Sequence, residues 1–242
     1  MAPRFEALEK LGDMTDTARQ LVFELPHRPA LGLEDFLVSE SNDAAVALID
    51  RWPDWPVGAA VISGPAGCGK SHLANVWRLK SAAQIVNAAV LKSANVPAIA
   101  AHRALVIEDI GATEDEAALF HLLNLVREQR LAMLLTSASA PGDLALRVPD
   151  LTSRLKALPL AVISLPDDAL LRAVLVKLFA DRQLSVDPQV IAYLLVRMER
   201  SMEAARRVVG EVDRQALTVQ RGVTRAVAAA ALQALGYEGK TP

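Results

Sequence analysis

The stretch "AAVISGPAGCGKSHLANVWRLK", residues 59–80, decides the fold. Its first five residues are apolar and predict a buried strand, and its last ten have the periodicity of a helix. Between them lies "GPAGCGKS", residues 64–71, with the spacing G-x-x-x-x-G-K-S. Because this pattern joins a strand to a helix, it predicts a loop that binds phosphate groups.

The residue types in this loop suit a nucleotide. Glycines allow backbone N–H groups to converge on the β- and γ-phosphates, Lys70 supplies a positive charge, and the Ser71 hydroxyl is the expected Mg²⁺ ligand. We expect Cys68 to be a small loop residue without a redox role. The residues predicted to contact ADP or ATP are Gly64, Pro65, Ala66, Gly67, Cys68, Gly69, Lys70, Ser71 and His72.

Short apolar runs alternate with helical segments through the first two thirds of the chain. The predicted strands are 59–63, 83–88, 104–109, 131–137 and 160–165, and all are apolar enough for both faces of a parallel sheet to be covered. A helix between strands, such as 115–130, is typical of βαβ order. The predicted fold class is therefore α/β, a parallel sheet flanked by helices.

The pattern changes after Pro166, where only helical periodicity is found. Asp167 and Asp187 are predicted to cap two of these helices, and Pro188 follows the second cap at the first helical position. We predict four regions: a flexible tail at 1–19, an extended peptide and linker at 20–31, an α/β nucleotide-binding domain at 32–165 and a small helical lid at 166–242.

Composition excludes several other classes of protein. The chain has 242 residues and a formal net charge of −2, which does not favour a dedicated nucleic-acid binder. It has one cysteine, so an internal disulfide and a cysteine-based zinc cluster are excluded. No apolar run has the length of a membrane span and no signal peptide precedes the first domain, so we expect a cytoplasmic protein without a membrane partner.

Acidic and hydroxyl residues end two of the predicted strands. Glu108 and Asp109 follow "ALVI" at the carboxyl end of one strand, where ligands bind in such sheets. Glu108 would hold Mg²⁺, and Asp109 would orient or deprotonate an attacking water. Thr136 or Ser137, at the end of the next strand, could contact the γ-phosphate or that water.

With these motifs together, the sequence resembles the AAA+ ATPases, specifically the DnaA family of replication initiators. The resemblance covers most of the chain, including "VIEDIG", "LFHLLNLVRE", "LLTSAS" and "DLTSRL". It implies that Arg154, within "DLTSRL", is an arginine finger that reaches the γ-phosphate of a neighbouring subunit. Family members also carry a C-terminal DNA-binding domain, and the helical lid here is followed by the end of the sequence at Pro242.

This difference favours a regulator that inactivates DnaA together with the DNA-loaded sliding clamp, and direct sequence-specific DNA binding is not expected. The peptide "QLVFEL", residues 20–25, resembles a clamp-binding peptide. Gln20 can form hydrogen bonds at the rim of a pocket, while Leu21, Phe23 and Leu25 fill an apolar groove. The alternative is a strap that packs on the core of this same chain. The sequence leaves open whether the chain forms a homo-oligomer.

One position departs from the family. Where a sensor arginine is expected at the start of a lid helix, the sequence has Glu203, and Arg206 on the same helical face is the candidate substitute. Slow intrinsic ATP hydrolysis follows from this departure. Two alternative functions remain: an independent ATPase of the helicase-loader type, and a DnaA-like initiator fragment, which the charge balance disfavours.

Overall fold

A computed structural model describes residues 37–219 and 222–237 of the chain. The predicted tail at 1–19 and the extended peptide at 20–31 lie outside the described residues. The described part contains a parallel sheet with flanking helices, followed by a cluster of helices with a core of its own. The predicted α/β fold class is confirmed.

The strands of the sheet are β1 (Ala59–Ser63), β2 (Gln84–Asn87), β3 (Ala104–Glu108), β4 (Ala132–Ser137) and β5 (Leu160–Val162). Their order across the sheet is β2-β3-β4-β1-β5, and every neighbouring pair is parallel. In this order β4 has two neighbours: β1, which is followed by the phosphate loop, and β3, which carries Glu108.

Helices cover both faces of the sheet and bury two apolar clusters. The longest of these helices is α4, whose Asp115 cap accepts the Ala118 N–H at 2.9 Å and whose leucines are spaced to face the sheet. The helices in this domain are α1 (Asp43–Asp50), α2 (Lys70–Ser81), α3 (Val96–Ile99), α4 (Glu116–Gln129) and α5 (Pro149–Lys156).

The two edge strands differ from the prediction of strands buried on both faces. In β2 none of the four residues is fully buried, and in β5 Leu160 and Val162 are exposed while Ala161 is buried. The predicted β5 was also too long, because the Ser164 N–H donates to the Ser41 carbonyl at 2.9 Å instead of extending the ladder. Edge position, which depends on topology, explains both differences.

The helices that follow the sheet, called the lid below, are α6 (Asp168–Ala180), α7 (Pro188–Arg197), α8 (Met202–Val219) and α9 (Arg225–Ala234). Asp167 accepts the Leu170 N–H at 2.6 Å and Asp187 accepts the Gln189 N–H at 2.7 Å, so both predicted caps are present. Phe179 of α6 and Val208, Val209 and Val212 of α8 are buried in the lid core. An isolated β-bridge between Val186 and Val223 was not predicted.

All three tryptophans of the chain form one cluster beside α2. The Trp55 ring stacks on Trp77 with 5.2 Å between centroids, and Trp52 meets Trp77 edge-on at 5.9 Å. The Trp55 indole N–H donates to the Leu48 carbonyl at 2.8 Å. The cluster fixes the loop between α1 and β1 against the helix that follows the phosphate loop.

No helix in the described ranges combines the length and apolar character that a membrane crossing needs.

Candidate functional site

The loop at residues 64–69 turns sharply between β1 and α2. Gly64 has no room for a side chain, because a Cβ there would lie 2.2 Å from the Ile163 carbonyl oxygen. The helix begins at Lys70, and Gly69 before it provides no side-chain cap. A helix start without a side-chain cap is the arrangement in which backbone N–H groups can bind an anion.

The side chains of Lys70 and Cys68 occupy different environments. The Lys70 ammonium group donates to the carbonyl oxygens of Gly64 at 2.7 Å and Pro65 at 2.8 Å, so its charge lies over the loop. Cys68 is buried, and burial raises the pKa of its thiol against the opposing effect of Lys70. A protonated, buried thiol agrees with the prediction of a small loop residue. Pro65 and Ala66 are exposed at the tip of the loop.

The predicted acidic and hydroxyl residues lie at the same edge of the sheet as the loop. Glu108 ends β3 and is half-buried, while Asp109 is exposed and has a left-handed backbone with φ 56°. The Asp109 N–H donates to the Thr136 hydroxyl oxygen at 3.0 Å. Thr136 is buried, and its bond to Asp109 gives it a structural role beside the predicted one. Ser137 Oγ instead accepts the Ser139 N–H at 3.3 Å.

The residues at this edge can contribute to a Mg²⁺ site. Ser71 and Glu108 offer hydroxyl and carboxylate oxygens, the donors that Mg²⁺ prefers. Within the described residues, no group of three or more His, Cys, Asp or Glu side chains could hold a metal ion. Mg²⁺ commonly keeps several waters and is bound through substrate phosphates together with one or two protein groups, so the small donor set fits it.

A cavity of about 240 Å³ opens beside the loop, between the sheet domain and the lid. Its walls on the lid side are mostly apolar, with Leu170, Val174 and Leu178 from α6 and Met202 from α8. Charged groups at its margin are Lys177, Asp181 and Arg206. The remaining lining residues are Leu37, Asn42, Cys68, Gly69, His72 and Ile163. The flat apolar ring of a ligand would fit between these walls, and phosphate groups on the same ligand would then reach the loop.

The lid contacts the phosphate loop directly through a backbone hydrogen bond. The Met202 N–H donates to the Gly67 carbonyl at 2.9 Å, and a Cβ on Gly67 would lie 2.6 Å from the Cβ of the buried Ser201. Gly67 has φ 73°, a backbone conformation that L side chains rarely adopt. The glycine at this position therefore permits both the turn of the loop and the contact with the lid.

The two sensor candidates on α8 are placed differently. Arg206 lines the cavity, whereas Glu203 is exposed and is not among the described residues that line it. An acid at 203 consequently need not repel a phosphate in the cavity. Arg207 faces elsewhere, because its guanidinium donates to the Tyr237 hydroxyl at 2.8 Å.

Arg154 lies away from this cavity. It is half-buried on α5, and its guanidinium carbon lies 4.7 Å from the centroid of the Phe120 ring. It lines a second, mostly apolar cavity together with Val57 and Ala59, which lie at the amino end of β1. The phosphate loop follows the carboxyl end of β1, so Arg154 is not grouped with the other predicted site residues.

Some residues of the site were not predicted, and some predicted residues are not described. Lys177, Asp181 and the apolar residues of α6 line the cavity, but their positions carry no sequence signal beyond helical periodicity. Their spacing along α6 is the only hint, since residues three or four apart share a helical face. The clamp-type peptide with Gln20, Leu21, Phe23 and Leu25 lies outside the described residues.

No protein-family model and no curated protein matches the chain. Solved structures do. The chain superposes on domain III of the Thermotoga maritima replication initiation protein DnaA with a TM-score of 0.69 at 18% identity, covering 86% of this chain and 98% of that one. A replication initiator DnaA bound to AMPPCP and single-stranded DNA gives 0.64 at 19% identity, with 76% and 65% covered.

The Thermotoga maritima RuvB Holliday junction branch migration motor gives a TM-score of 0.60 at 16% identity, with 73% of this chain and 61% of that chain covered. The chain thus spans less than two thirds of the length of two of these three structures. At such identities the similarity concerns the fold. The described part of the chain has the AAA+ fold found in DnaA and RuvB, with the phosphate loop at the carboxyl edge of its sheet.

Proposed function

We propose that this chain binds ADP or ATP between its two domains and regulates replication initiation as an inactivator of DnaA, of the type called Hda. The observation that carries the proposal is the cavity beside the phosphate loop. It combines a charged loop and a helix start without a side-chain cap with apolar walls from the lid. Phosphates and a flat base are the two parts of a ligand that such a site would select.

The placement of Arg154 supports action on a second protein. Arg154 lies near the amino end of β1, and the chain's own phosphate loop lies beyond the other end of this strand of five residues. A guanidinium so placed would serve the nucleotide of another molecule, where it would stabilise charge on the γ-phosphoryl group. Such fingers are worth roughly 10³–10⁵ in rate. The aromatic face of Phe120 would orient the guanidinium before contact.

The bound nucleotide and the peptide at 20–25 have separate roles in this proposal. ADP or ATP, with Mg²⁺ neutralising phosphate charge, would hold the lid on the sheet domain. Gln20, Leu21, Phe23 and Leu25 would attach the chain to the sliding clamp and so bring Arg154 to DnaA on DNA. The similarity in fold to DnaA domain III is consistent with two modules of one architecture meeting side by side.

The test follows radiolabelled ATP pre-bound to DnaA as it converts to ADP in the presence of the DNA-loaded clamp. The parent chain should accelerate the conversion, while Arg154→Ala and Arg154→Lys should not, because lysine lacks the planar fork. Arg147→Ala is the control, since Arg147 is an exposed arginine just before α5 that lines neither cavity described above. If the parent chain leaves the conversion rate unchanged, the proposal fails.

A helicase-loader type ATPase is the second candidate, because the phosphate loop, Glu108, Asp109 and Thr136 form the outline of a hydrolytic site. The purified chain alone would then turn over ATP at an ordinary enzymatic rate, on the order of 1 s⁻¹ or more. Turnover far below that rate, together with stimulation of DnaA-bound ATP hydrolysis, favours the regulator. A DnaA-like initiator fragment would instead bind origin DNA, which a direct binding assay tests.

A further inference from the structure

A second surface lies at the amino edge of the sheet, opposite the nucleotide cavity. It is an open groove of about 640 Å³, formed by the loop before β1, the end of α4 and the start of β4. We call it the arginine groove. Its lining residues are Trp52, Pro53, Pro56, Val57, Gly58, Arg103, Val126, Arg127, Arg130, Leu131 and Ala132.

The groove has an apolar floor and a basic rim. Val57 is a large apolar residue that is 42% exposed, and it lies beside buried Val126 and Leu131. The three rim arginines, Arg103, Arg127 and Arg130, are exposed. Such a combination of uncovered apolar surface and clustered guanidinium groups marks a surface for recognition more often than a surface for solvent alone.

The rim arginines have no acidic partner among residues 37–219 and 222–237. No Asp or Glu in the described ranges lines the groove. No ion pair or side-chain hydrogen bond joins any of the three guanidinium groups to the described part of the chain, although exposed arginines elsewhere, such as Arg200 and Arg214, do pair with carboxylates. The whole chain is slightly acidic, with a net charge of −2, so this local excess of positive charge is not a general property of its surface.

We propose that the arginine groove binds an acidic segment of a partner protein that also carries apolar side chains. Carboxylates would pair with Arg103, Arg127 and Arg130 in the bidentate geometry that guanidinium groups favour, and aliphatic side chains would cover Val57. A nucleic-acid backbone would match the charges but would leave the apolar floor uncovered. The chemistry of floor and rim together therefore favours a peptide.

This proposal does not depend on the nucleotide site. Arg103 and Arg130 line the groove but neither the nucleotide cavity nor the cavity of Arg154. The groove and the Arg154 cavity do share Val57, Val126 and Arg127, so a partner that contacts Arg154 could also reach the groove. Arg127 is left unchanged in the test for this reason.

The test uses a fluorescein-labelled peptide of glutamate and leucine residues, with a glutamine–leucine peptide of the same length as the neutral control. Fluorescence anisotropy should show binding of the acidic peptide to the full chain, weaker at higher salt, and no binding of the neutral peptide. The double variant Arg103→Gln/Arg130→Asn should lose about tenfold in affinity. Asparagine is chosen at position 130 because Arg130 has φ 53°, which asparagine tolerates.

The matched control is Arg147→Gln/Arg172→Gln, which removes the same charge outside the groove and should bind as the parent does. Pro56→Asp, a second variant at an exposed lining residue that is absent from the Arg154 cavity, should also weaken binding by placing a carboxylate in the groove. Absence of peptide binding by the parent, equal binding by the groove variant, or equal losses in both double variants would each overturn the proposal. Tighter binding of single-stranded oligodeoxythymidylate through the same two arginines would overturn it in favour of nucleic acid. The groove variant Arg103→Gln/Arg130→Asn should bind ADP as the parent does. Unchanged ADP binding would show that its loss of peptide affinity does not come from damage to the nucleotide site.

Discussion

The hydroxyl oxygen of Thr136 accepts the backbone N–H of Asp109 at 3.0 Å, and this bond joins the ends of β4 and β3. Asp109 has a left-handed backbone, which costs free energy in a residue with a Cβ. The bond supplies a partner for the N–H in that conformation. The bond therefore fixes the position of Asp109, which follows β3, relative to the Thr136 hydroxyl on β4.

Thr136→Val should remove this acceptor while keeping the shape of the buried side chain. The Asp109 N–H would lose its partner, and the free energy of unfolding should fall by on the order of 1–3 kcal/mol. Urea denaturation measures the change. Thr136→Ser keeps the hydroxyl and should lose less, so equal losses in the two variants would show that the bond is not the cause.

Lys70→Ala should abolish binding of ADP and ATP, because the Lys70 ammonium group is the main charge placed over the loop. A ligand that binds only the folded state stabilises it by RT ln(1 + [L]/Kd), so the melting temperature of the parent should rise with added ADP. The variant should show no such rise. Lys156→Ala, an exposed lysine at the end of α5, is the control and should respond like the parent.

Gly67→Ala should loosen the lid as well as strain the loop. The new Cβ would lie 2.6 Å from the Ser201 Cβ, and the backbone has φ 73°. Gly69→Ala is the comparison, because Gly69 also has a positive φ, 113°, but nothing within 4 Å of a Cβ. We expect a larger loss of thermal stability at 67 than at 69.

A double-mutant cycle assigns the extra loss at Gly67 to the lid. Ser201→Gly removes the opposing Cβ. The stability loss of the double variant should therefore be smaller than the sum of the losses of Gly67→Ala and Ser201→Gly measured singly. That single loss is expected, because Ser201 Oγ accepts the Ala204 N–H at 3.0 Å. Strictly additive losses would mean that the loop and the lid do not clash.

Arg206→Gln should weaken ATP binding about tenfold and ADP binding less, since a guanidinium at the cavity margin interacts most with the added γ-phosphate. Glu203→Gln should change neither affinity, because Glu203 is exposed and lies outside the cavity lining. Isothermal titration calorimetry with both nucleotides distinguishes the two positions. An effect confined to Glu203→Gln would reverse the assignment.

Cys68 should react slowly with iodoacetamide at neutral pH. Burial raises the pKa of its thiol in the folded protein, so the thiolate that reacts is scarcer at pH 7 than in an exposed cysteine. The rate should increase with pH beyond the ordinary thiol range and should increase sharply on unfolding in urea. Mass spectrometry of the alkylated chain measures both rates, and fast labelling of the folded protein at pH 7 would contradict the buried assignment.

Much of the α/β fold could be predicted because its signals are local. The G-x-x-x-x-G-K-S spacing and the apolar runs of β1, β3 and β4 locate the sheet and its loop within a residue or two. The exposure of β2 and the early end of β5 could not be predicted, because they depend on which strands have one neighbour only. Helical period alone likewise could not decide whether Glu203 or Arg206 faces the cavity, since residues three apart share a broad face.

The tryptophan cluster has a practical consequence for measuring how the two domains unfold. Trp52, Trp55 and Trp77 all lie in the sheet domain, and residues 166–242 contain no tryptophan. Tryptophan fluorescence, excited at a wavelength that Tyr193 and Tyr237 of the lid do not absorb, therefore monitors the sheet domain alone. Far-ultraviolet circular dichroism also records the helices of the lid. If the two midpoints coincide with nucleotide and separate without it, the bound nucleotide makes the domains unfold as one cooperative unit.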